Sequence, residues 1–323
     1  MLFEDILHPE NLHRAWQRVR QNKGGAGIDG ITLDDYPKWA KAHWQNVKRG
    51  LERGYYCPQP VKRVEIPKPN GGIRLLGIPC VNDRLIQQAI TQCLQPLIDP
   101  TFSEHSYGFR PNRSAHQAIK AVQGFIKAKH RYAVDIDLSK FFDQVNHDLL
   151  MFRLGQRIDD KRVLSLIGRY LRAGISDKGQ VSPSLCGVPQ GGPLSPLLAN
   201  IMLDDLDRYL ENKHYRFARY ADDFVICVNT FAEGQRIKQE VERFLTTLNL
   251  PINQEKSKVV PVRELCFLGY QFKGRHLQNR YSRPPWRSSN GGNREHASRN
   301  SLNWVCQSKQ RSVLDCVQRG ITV

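Results

Sequence analysis

Phe217-Ala-Arg-Tyr-Ala-Asp-Asp-Phe-Val-Ile-Cys-Val228 is the stretch on which the fold turns. Its two halves are apolar and β-prone, and Ala221-Asp222-Asp223 interrupts them. Two strands around a tight turn is what this pattern predicts. The turn sets two carboxylates side by side. Adjacent acids repel and are costly to desolvate together, so water or a bound cation must offset them. Asp is frequent in solvated turns, and the pair alone does not decide between the two. Upstream, Tyr132-Ala-Val-Asp-Ile-Asp-Leu138 is another β-rich run. It carries Asp135 and Asp137 two residues apart, hence on one strand face. Carboxylates from two such runs can hold two magnesium ions roughly 3.5–4 Å apart.

Helices and a hairpin surround these runs. Residues 11–22 place Leu12, Ala15, Trp16 and Val19 on one helical face and stop at Asn22-Lys23-Gly24-Gly25. Residues 36–54 read as a second helix. Val61 to Pro79 alternates and breaks at Asn70-Gly71-Gly72, which predicts a hairpin with Val64, Ile66, Leu76 and Ile78 inward. Residues 83–98 carry a strong helical pattern. Further helical stretches fall near 147–173, 196–212 and 231–248, and Cys266 to Phe272 reads as one short strand.

Lys and Arg number 48 against 31 Asp and Glu, a net charge of +17. Such a charge says little about fold but predicts affinity for polyanions, nucleic acid first among them. The 323 residues are enough for two or three subdomains. None of the eight cysteines sits in a C-x-x-C pair, so no zinc knuckle is visible, and reduced cysteines fit a cytoplasmic location. The N-terminus does not resemble a signal peptide. No apolar run approaches the ~18 residues that a membrane span needs. The last 51 residues hold ten Lys or Arg and two acids, with many Ser, Asn and Gly. They are expected to form a basic, poorly ordered tail with one weak helix over 302–318.

Tyr220-Ala-Asp-Asp223 between apolar strands resembles the central motif of reverse transcriptases. Asp137-Leu-Ser-Lys-Phe-Phe-Asp-Gln-Val-Asn-His147 and Gly187-Val-Pro-Gln-Gly-Gly-Pro-Leu-Ser-Pro196 are similar to motifs of the group II intron-encoded, maturase-type branch. Asn22-Lys-Gly-Gly-Ala-Gly-Ile-Asp-Gly30, Ile66-Pro-Lys-Pro-Asn-Gly-Gly-Ile-Arg-Leu-Leu-Gly-Ile-Pro79 and Ser106-Tyr-Gly-Phe-Arg-Pro-Asn-Arg-Ser-Ala-His116 match in order. Asn253-Gln-Glu-Lys-Ser257 and Phe267-Leu-Gly-Tyr270 complete the series.

That resemblance implies an α+β fold with the fingers and palm of a right-hand polymerase, an antiparallel palm sheet backed by helices, and a thumb largely missing. The N-terminal extension and fingers would occupy 1–125 and the palm 126–272, with a finger-like insertion at about 150–190; the tail is 273–323. The implied activity is RNA-directed DNA synthesis with two Mg²⁺ ions, or Mn²⁺ in their place, held by Asp137, Asp222 and Asp223. Asp135 would support these ligands, and Asp143 is expected to cap the helix that follows it. The implied partners are an RNA template, a DNA or RNA primer, deoxynucleoside triphosphates and group II intron RNA.

Other roles carry over residue by residue. An aromatic at Phe142 bars the ribonucleotide 2′-hydroxyl in similar enzymes, although a buried core Phe is the plainer reading. Lys68 and Arg74 flank the hairpin turn and would close on the incoming triphosphate. Gln190 would contact the nucleotide, and Lys256 would steady or protonate the pyrophosphate. Arg63, Arg110, Arg113 and His116 are candidate template contacts. Gly191 lets the backbone approach a ligand, and Gly269 and Tyr270 belong to the expected primer grip. The chain departs from the pattern in two places: Leu75 stands where relatives carry proline, and no thumb-like sequence follows Tyr270. It is therefore expected to be truncated after the palm, which leaves an RNA-binding splicing cofactor or an inactive remnant as alternatives.

Overall fold

The protein is described by a computed structural model over residues 1–67, 73–273 and 276–279. Three helices come first: α1 (Leu2–Leu7), α2 (Pro9–Gln21) and α3 (Tyr36–Glu52). A hairpin of β1 (Val61–Pro67) and β2 (Ile73–Ile78) precedes α4 (Val81–Ile98) and α5 (Ala115–Lys127). The centre comprises β3 (Tyr132–Asp137), α6 (Phe141–Gln144), α7 (His147–Gly155), α8 (Lys161–Leu171), β4 (Ile175–Asp177) and β5 (Gln180–Ser182). Then follow α9 (Ser195–Asn212), β6 (Arg216–Tyr220), β7 (Asp223–Val228), α10 (Phe231–Thr247) and β8 (Lys258–Pro261). The last are β9 (Cys266–Phe267), β10 (Tyr270–Lys273) and β11 (His276–Asn279). Largely antiparallel sheets with helices packed on their faces place the chain in the α+β class, as expected.

Two compact units divide the chain. One combines Met1–Phe102 with Lys140–Met202. The other combines Ser103–Ser139 with the described residues from Leu203 onward, so the division falls inside α9.

The first unit is organised around α4, which is buried without a break from Val81 to Ile90. A helix buried all round must find partners for its polar side chains. Tyr36 donates its hydroxyl to Asn82 Oδ1 at 2.9 Å, and Tyr56 donates to Asp83 Oδ1 at 2.6 Å. Arg84 donates to the Gly25 carbonyl at 2.6 Å. The glycine-rich stretch 22–30 crosses α4 so closely that a Cβ on Gly27 would lie 2.6 Å from the Cys80 backbone. The four-stranded sheet of this unit runs β2-β1-β4-β5. Antiparallel β1 and β2 pair Val64 with Leu76 and Lys62 with Ile78, which puts Val64, Ile66, Leu76 and Ile78 on one face as the alternation predicts.

The second unit carries an antiparallel sheet ordered β6-β7-β3-β8. Residues Ala133, Ala218, Val225 and Cys227 share one face of it. Ala118, Ile119 and Val122 of α5 pack there with Phe267, Tyr270 and Phe272 of the β9–β10 hairpin. The opposite face receives α10, where a Cβ on Gly234 would stand 2.6 Å from Val259 Cγ1. A capping box starts α5: Ser114 accepts from Gln117 N–H and the Gln117 side chain accepts from Ser114 N–H.

Several expectations are corrected. The stretch 147–173 is two helices, with Asp160 at the break capping α8 through the Arg162 amide. Cys266 to Phe272 is a hairpin, because Leu268 and Gly269 both take positive φ (51° and 82°), as a two-residue type I′ turn requires. Asn146, not Asp143, caps α7, accepting from Leu149 N–H at 2.9 Å; Asp143 sits within α6 instead. The hairpin β4–β5 turns at Lys178-Gly179, again with both φ positive. Lys68 and the Asn70-Gly71-Gly72 turn lie outside the described residues, as do the 302–318 helix and all of the tail beyond Asn279.

Candidate active site

The turn quoted at the outset joins β6 to β7, with Tyr220 paired to Asp223 and only Ala221 and Asp222 between them. Ala221 takes φ +57°, the left-handed region. A non-glycine residue there costs about 1–3 kcal/mol and persists only where its surroundings fix it. The surroundings are close. A Cβ on Gly108 would lie 2.2 Å from Ala221 N, so glycine is required where the 106–109 segment meets the turn.

Asp137 ends β3 directly opposite Asp223 of β7. Antiparallel partners project to the same face, so Asp135, Asp137, Asp223 and Tyr220 share it. The segment from Asn253 to Ser257 secures the end of β3. Asn253 N–H donates to the Asp137 carbonyl at 2.8 Å, and Asp137 N–H donates to Ser257 Oγ at 3.1 Å. The same segment brings Lys256 Nζ to 3.8 Å from Asp137 Oδ2, with both side chains partly solvated. The sequence motif that named Lys256 thus places it beside the acids. Asp135 lies opposite Lys258 on β8 and Val225 on β7.

Arg219 was not singled out by the sequence, yet it is fully buried. Its alternation puts it on the sheet face away from Asp223, toward α9. There its Nε and Nη2 donate to the two oxygens of Asp207 at 2.7 and 2.5 Å. Burial holds the Asp207 carboxyl above its ordinary value, and the Arg219 guanidinium offsets only part of that rise. A charged residue at an inward strand position between Ala218 and Tyr220 is the signal that could have found it.

The first unit assembles a different group. Val188 N–H donates to the Phe142 carbonyl at 2.6 Å and Gly187 N–H to the Val145 carbonyl at 2.8 Å. Gly187 (φ +89°) has no room for a side chain, since a Cβ would stand 2.9 Å from Phe142 O. Phe142 is half-buried and packs edge-on against Phe141 at 5.2 Å. It is therefore neither the fully buried core residue of the plainer reading nor free of the fold. The Gln190 carbonyl accepts from Gly77 N–H at 2.8 Å, which ties the Pro-Gln-Gly-Gly loop to β2. Gly191 (φ +130°) approaches Gly77 so closely that a Cβ would be 2.6 Å from its carbonyl oxygen.

Register separates the hairpin cations. Arg74 pairs with Ile66 and shares its face, whereas Arg63 pairs with Gly77 on the other. Arg63 also reaches Asp177 of β4 at 3.3 Å.

The expected template and primer contacts are placed unevenly. Arg110 is buried and donates to the carbonyls of Ser103 and Ser106 at 2.5 and 2.9 Å, which holds its own loop together. Arg113 pairs with Glu104. His116 lies half-buried in the first turn of α5. The Tyr270 ring is buried in the core under α5 together with Leu268, and Gly269 is the more exposed residue of this motif.

Among the described residues no three His, Cys, Asp or Glu side chains are gathered into a ready cation cage. Nor is any described helix long and apolar enough to cross a membrane. The donor set at the end of β3 and the β6–β7 turn is nonetheless carboxylate oxygen alone, the chemistry that suits a hard divalent cation.

Known proteins resemble this chain. The family model described as reverse transcriptase (RNA-dependent DNA polymerase) matches residues 66–272. Protein YkfC of Escherichia coli (strain K12) is 34% identical over 319 residues, covering 86% of this chain and 83% of that protein. The group II intron-encoded protein LtrA of Lactococcus lactis subsp. cremoris is 33% identical over 277 residues, covering 85% of this chain and 44% of its own length. The chain thus spans less than half of that relative. A solved telomerase from Candida tropicalis, in complex with a fragment of telomeric RNA, matches with a TM-score of 0.57 at 13% identity. That match covers 85% of this chain and 56% of the telomerase chain and is a likeness of fold alone. The chain belongs to the reverse transcriptase (RNA-dependent DNA polymerase) family and is similar to a group II intron-encoded protein.

Proposed function

We propose that this chain extends a primer 3′-hydroxyl with deoxynucleotides on an RNA template, by chemistry centred on Asp137, Asp222 and Asp223. The observation that carries the proposal is the direct opposition of Asp137 and Asp223, with Asp222 in the adjoining turn. Like charges facing each other across a sheet are destabilising, and binding an anionic RNA gives no reason to gather them. Enzymes of the family use divalent metal ions, and the three carboxylates would hold two Mg²⁺, with Mn²⁺ as a substitute. Bound there, the ions would supply activation of the primer hydroxyl and neutralisation of charge at the leaving pyrophosphate.

The protein's own groups do the rest. Lys256 stands beside Asp137 and offers a positive charge to the departing pyrophosphate. Arg74 and Lys68 receive the incoming triphosphate, and Gln190 contacts the nucleotide from a loop whose backbone is fixed to β2. Phe142 bars a ribose 2′-hydroxyl. Gly269 and Tyr270 hold the primer end. In this scheme residues 1–125 and about 150–190 act as fingers and 126–272 as palm, in the cytoplasm. The net charge of +17 supports binding to an RNA template, and group II intron RNA is a candidate partner.

Extension of oligo(dT) on poly(rA) with Mg²⁺ tests the proposal, comparing wild type with Asp222→Ala/Asp223→Ala. Synthesis by the wild type and none by the double variant is the expected result. Synthesis that survives the double substitution overturns it.

A further inference from the structure

We propose that Arg219, braced by Asp207 and Ser106, is a positioning residue that sets the Ala221-Asp222 turn for catalysis. The inference rests on the assignment of Asp222 and Asp223 as catalytic acids and goes beyond it, since Arg219 lies on the sheet face away from Asp223.

Arg219 spends its donors in three directions. Nε and Nη2 grip both oxygens of Asp207 on α9, Nη2 also donates to Ser106 Oγ at 2.7 Å, and Nη1 donates to the Ala221 carbonyl at 3.0 Å. The last bond reaches the residue immediately before Asp222, the one held at φ +57°. The backbone repeats the connection. Arg219 N–H donates to the His105 carbonyl and Tyr107 N–H to the Arg219 carbonyl, both at 2.9 Å. The 105–108 segment therefore runs beside β6 and ends with Gly108 pressed on the turn. Both Arg219 and Asp207 are wholly buried.

Stability does not explain this arrangement. A buried ion pair often contributes nothing beyond what well-packed apolar residues would. Its particular property is geometric. A planar guanidinium can hold a carboxylate with two bonds and still direct a third donor at a fixed angle, which an ammonium on a flexible stem cannot do. Here the third donor fixes the peptide that aims Asp222. The loop bearing Ser106-Tyr-Gly-Phe-Arg thereby acquires a role besides template contact: it backs the acid turn from behind.

Arg219→Lys retains the charge that Asp207 needs but loses the fork. Its expected effect is a fall in kcat of roughly 10- to 100-fold, the scale of an ångström-sized displacement of a catalytic group. The KM for deoxynucleotide should stay near wild type, as befits a loss confined to the transition state. The affinity of the free protein for Mn²⁺, followed by the electron paramagnetic resonance signal of the unbound ion, should weaken several-fold. A purely structural residue would lower the thermal midpoint and the active fraction without moving Mn²⁺ affinity of the folded protein. Ser106→Ala, a milder change, should shift kcat and Mn²⁺ affinity the same way by a smaller factor, and it carries the test if Arg219→Lys does not fold. Wild-type kcat and Mn²⁺ affinity in a folded Ser106→Ala and, where it folds, Arg219→Lys would overturn the inference while leaving the polymerase assignment intact. A wild type that neither binds Mn²⁺ nor extends primer overturns the assignment itself, and the positioning role with it.

Discussion

Asp137 and Asp223 occupy directly opposed positions on β3 and β7, with Lys256 Nζ 3.8 Å from the first of them. Two like charges facing each other cost a sheet some tenths of a kcal/mol up to about 1 kcal/mol. Asp137→Asn removes that repulsion. The thermal midpoint measured without divalent ions should therefore stay level or rise, while primer extension falls by a factor on the order of 10² to 10³. A variant that loses stability and keeps activity would contradict both halves of the argument.

Lys256 has two functions in this arrangement, one with and one without substrate. Without substrate it is the cation beside Asp137, and in the proposed scheme it meets the pyrophosphate during turnover. Lys256→Met is expected to lower kcat by roughly tenfold or more. It should also lower the metal-free thermal midpoint slightly, since this solvated ion pair contributes at most about 1 kcal/mol. Steady-state extension kinetics and a melting curve in EDTA check the two effects separately. An unchanged kcat would reduce Lys256 to a surface counter-ion.

Phe142 is held in place by its own carbonyl, which accepts from Val188 N–H, and by a neighbouring Gly187 that no other residue can replace without contact at 2.9 Å. Its ring can therefore act as a fixed wall. Phe142→Val should admit ribonucleoside triphosphates, raising the ratio of ribonucleotide to deoxynucleotide incorporation on the same template by about tenfold or more, the scale of 1–3 kcal/mol for a pocket contact. Sugar discrimination equal to wild type in primer extension rules this role out.

How much of this was legible in the sequence depended on range. Strand alternation gave β3, β6, β7 and the inward face of the β1–β2 hairpin, because period-two burial is a local property. The ordered motifs named Asp137, Asp222, Asp223 and Lys256, and Asn253 to Ser257 does bring Lys256 to Asp137. What stayed hidden depended on long-range pairing. The partnership of Arg219 with Asp207 and Ser106 joins side chains from three segments, and the charge at an inward strand position flags Arg219 without naming its partners. Arg110 reads in sequence as a template contact, and the fold buries it where it donates to two carbonyls of its own loop. Turn chemistry was the other blind spot. Leu268 and Lys178 adopt positive φ without being the usual Asn or Gly, so the β9–β10 turn read as continuous strand and the β4–β5 turn was not foreseen. The capping box at Ser114 and Gln117 was readable and would have placed α5.

Gly191 ties two motifs together through a contact that only glycine permits. Its φ of +130° and its approach to the Gly77 carbonyl leave no space for a methyl group. Gly191→Ala should separate the Gln190 loop from β2, break the bond from Gly77 N–H to the Gln190 carbonyl, and destabilise the first unit by about 1–3 kcal/mol. Faster amide exchange at Gly77, with the KM for deoxynucleotide raised, is the expected signature. Protection at Gly77 equal to wild type would show that the loop does not depend on this contact.

Asp83 provides a pH test confined to the first unit. Burial pushes its carboxyl up to about 6, against the lowering effect of hydrogen bonds from Tyr56 and the Gln59 amide. The folded state therefore binds this proton more tightly than the unfolded chain, whose Asp titrates near the ordinary value of 3.8. Stability from this group is fully present below that value and is lost as pH rises through about 6, up to about 3 kcal/mol in all. Asp83→Asn keeps an acceptor for Tyr56 but cannot ionise. Its thermal midpoint should thus gain on that of the wild type as pH rises from 4 to about 7, the two curves running parallel above. The comparison cancels every other titrating group common to both proteins. A midpoint difference that is flat across this window would mean that Asp83 is ionised in the fold at all of these pH values, stabilised by Tyr56 and Gln59 more strongly than burial opposes it.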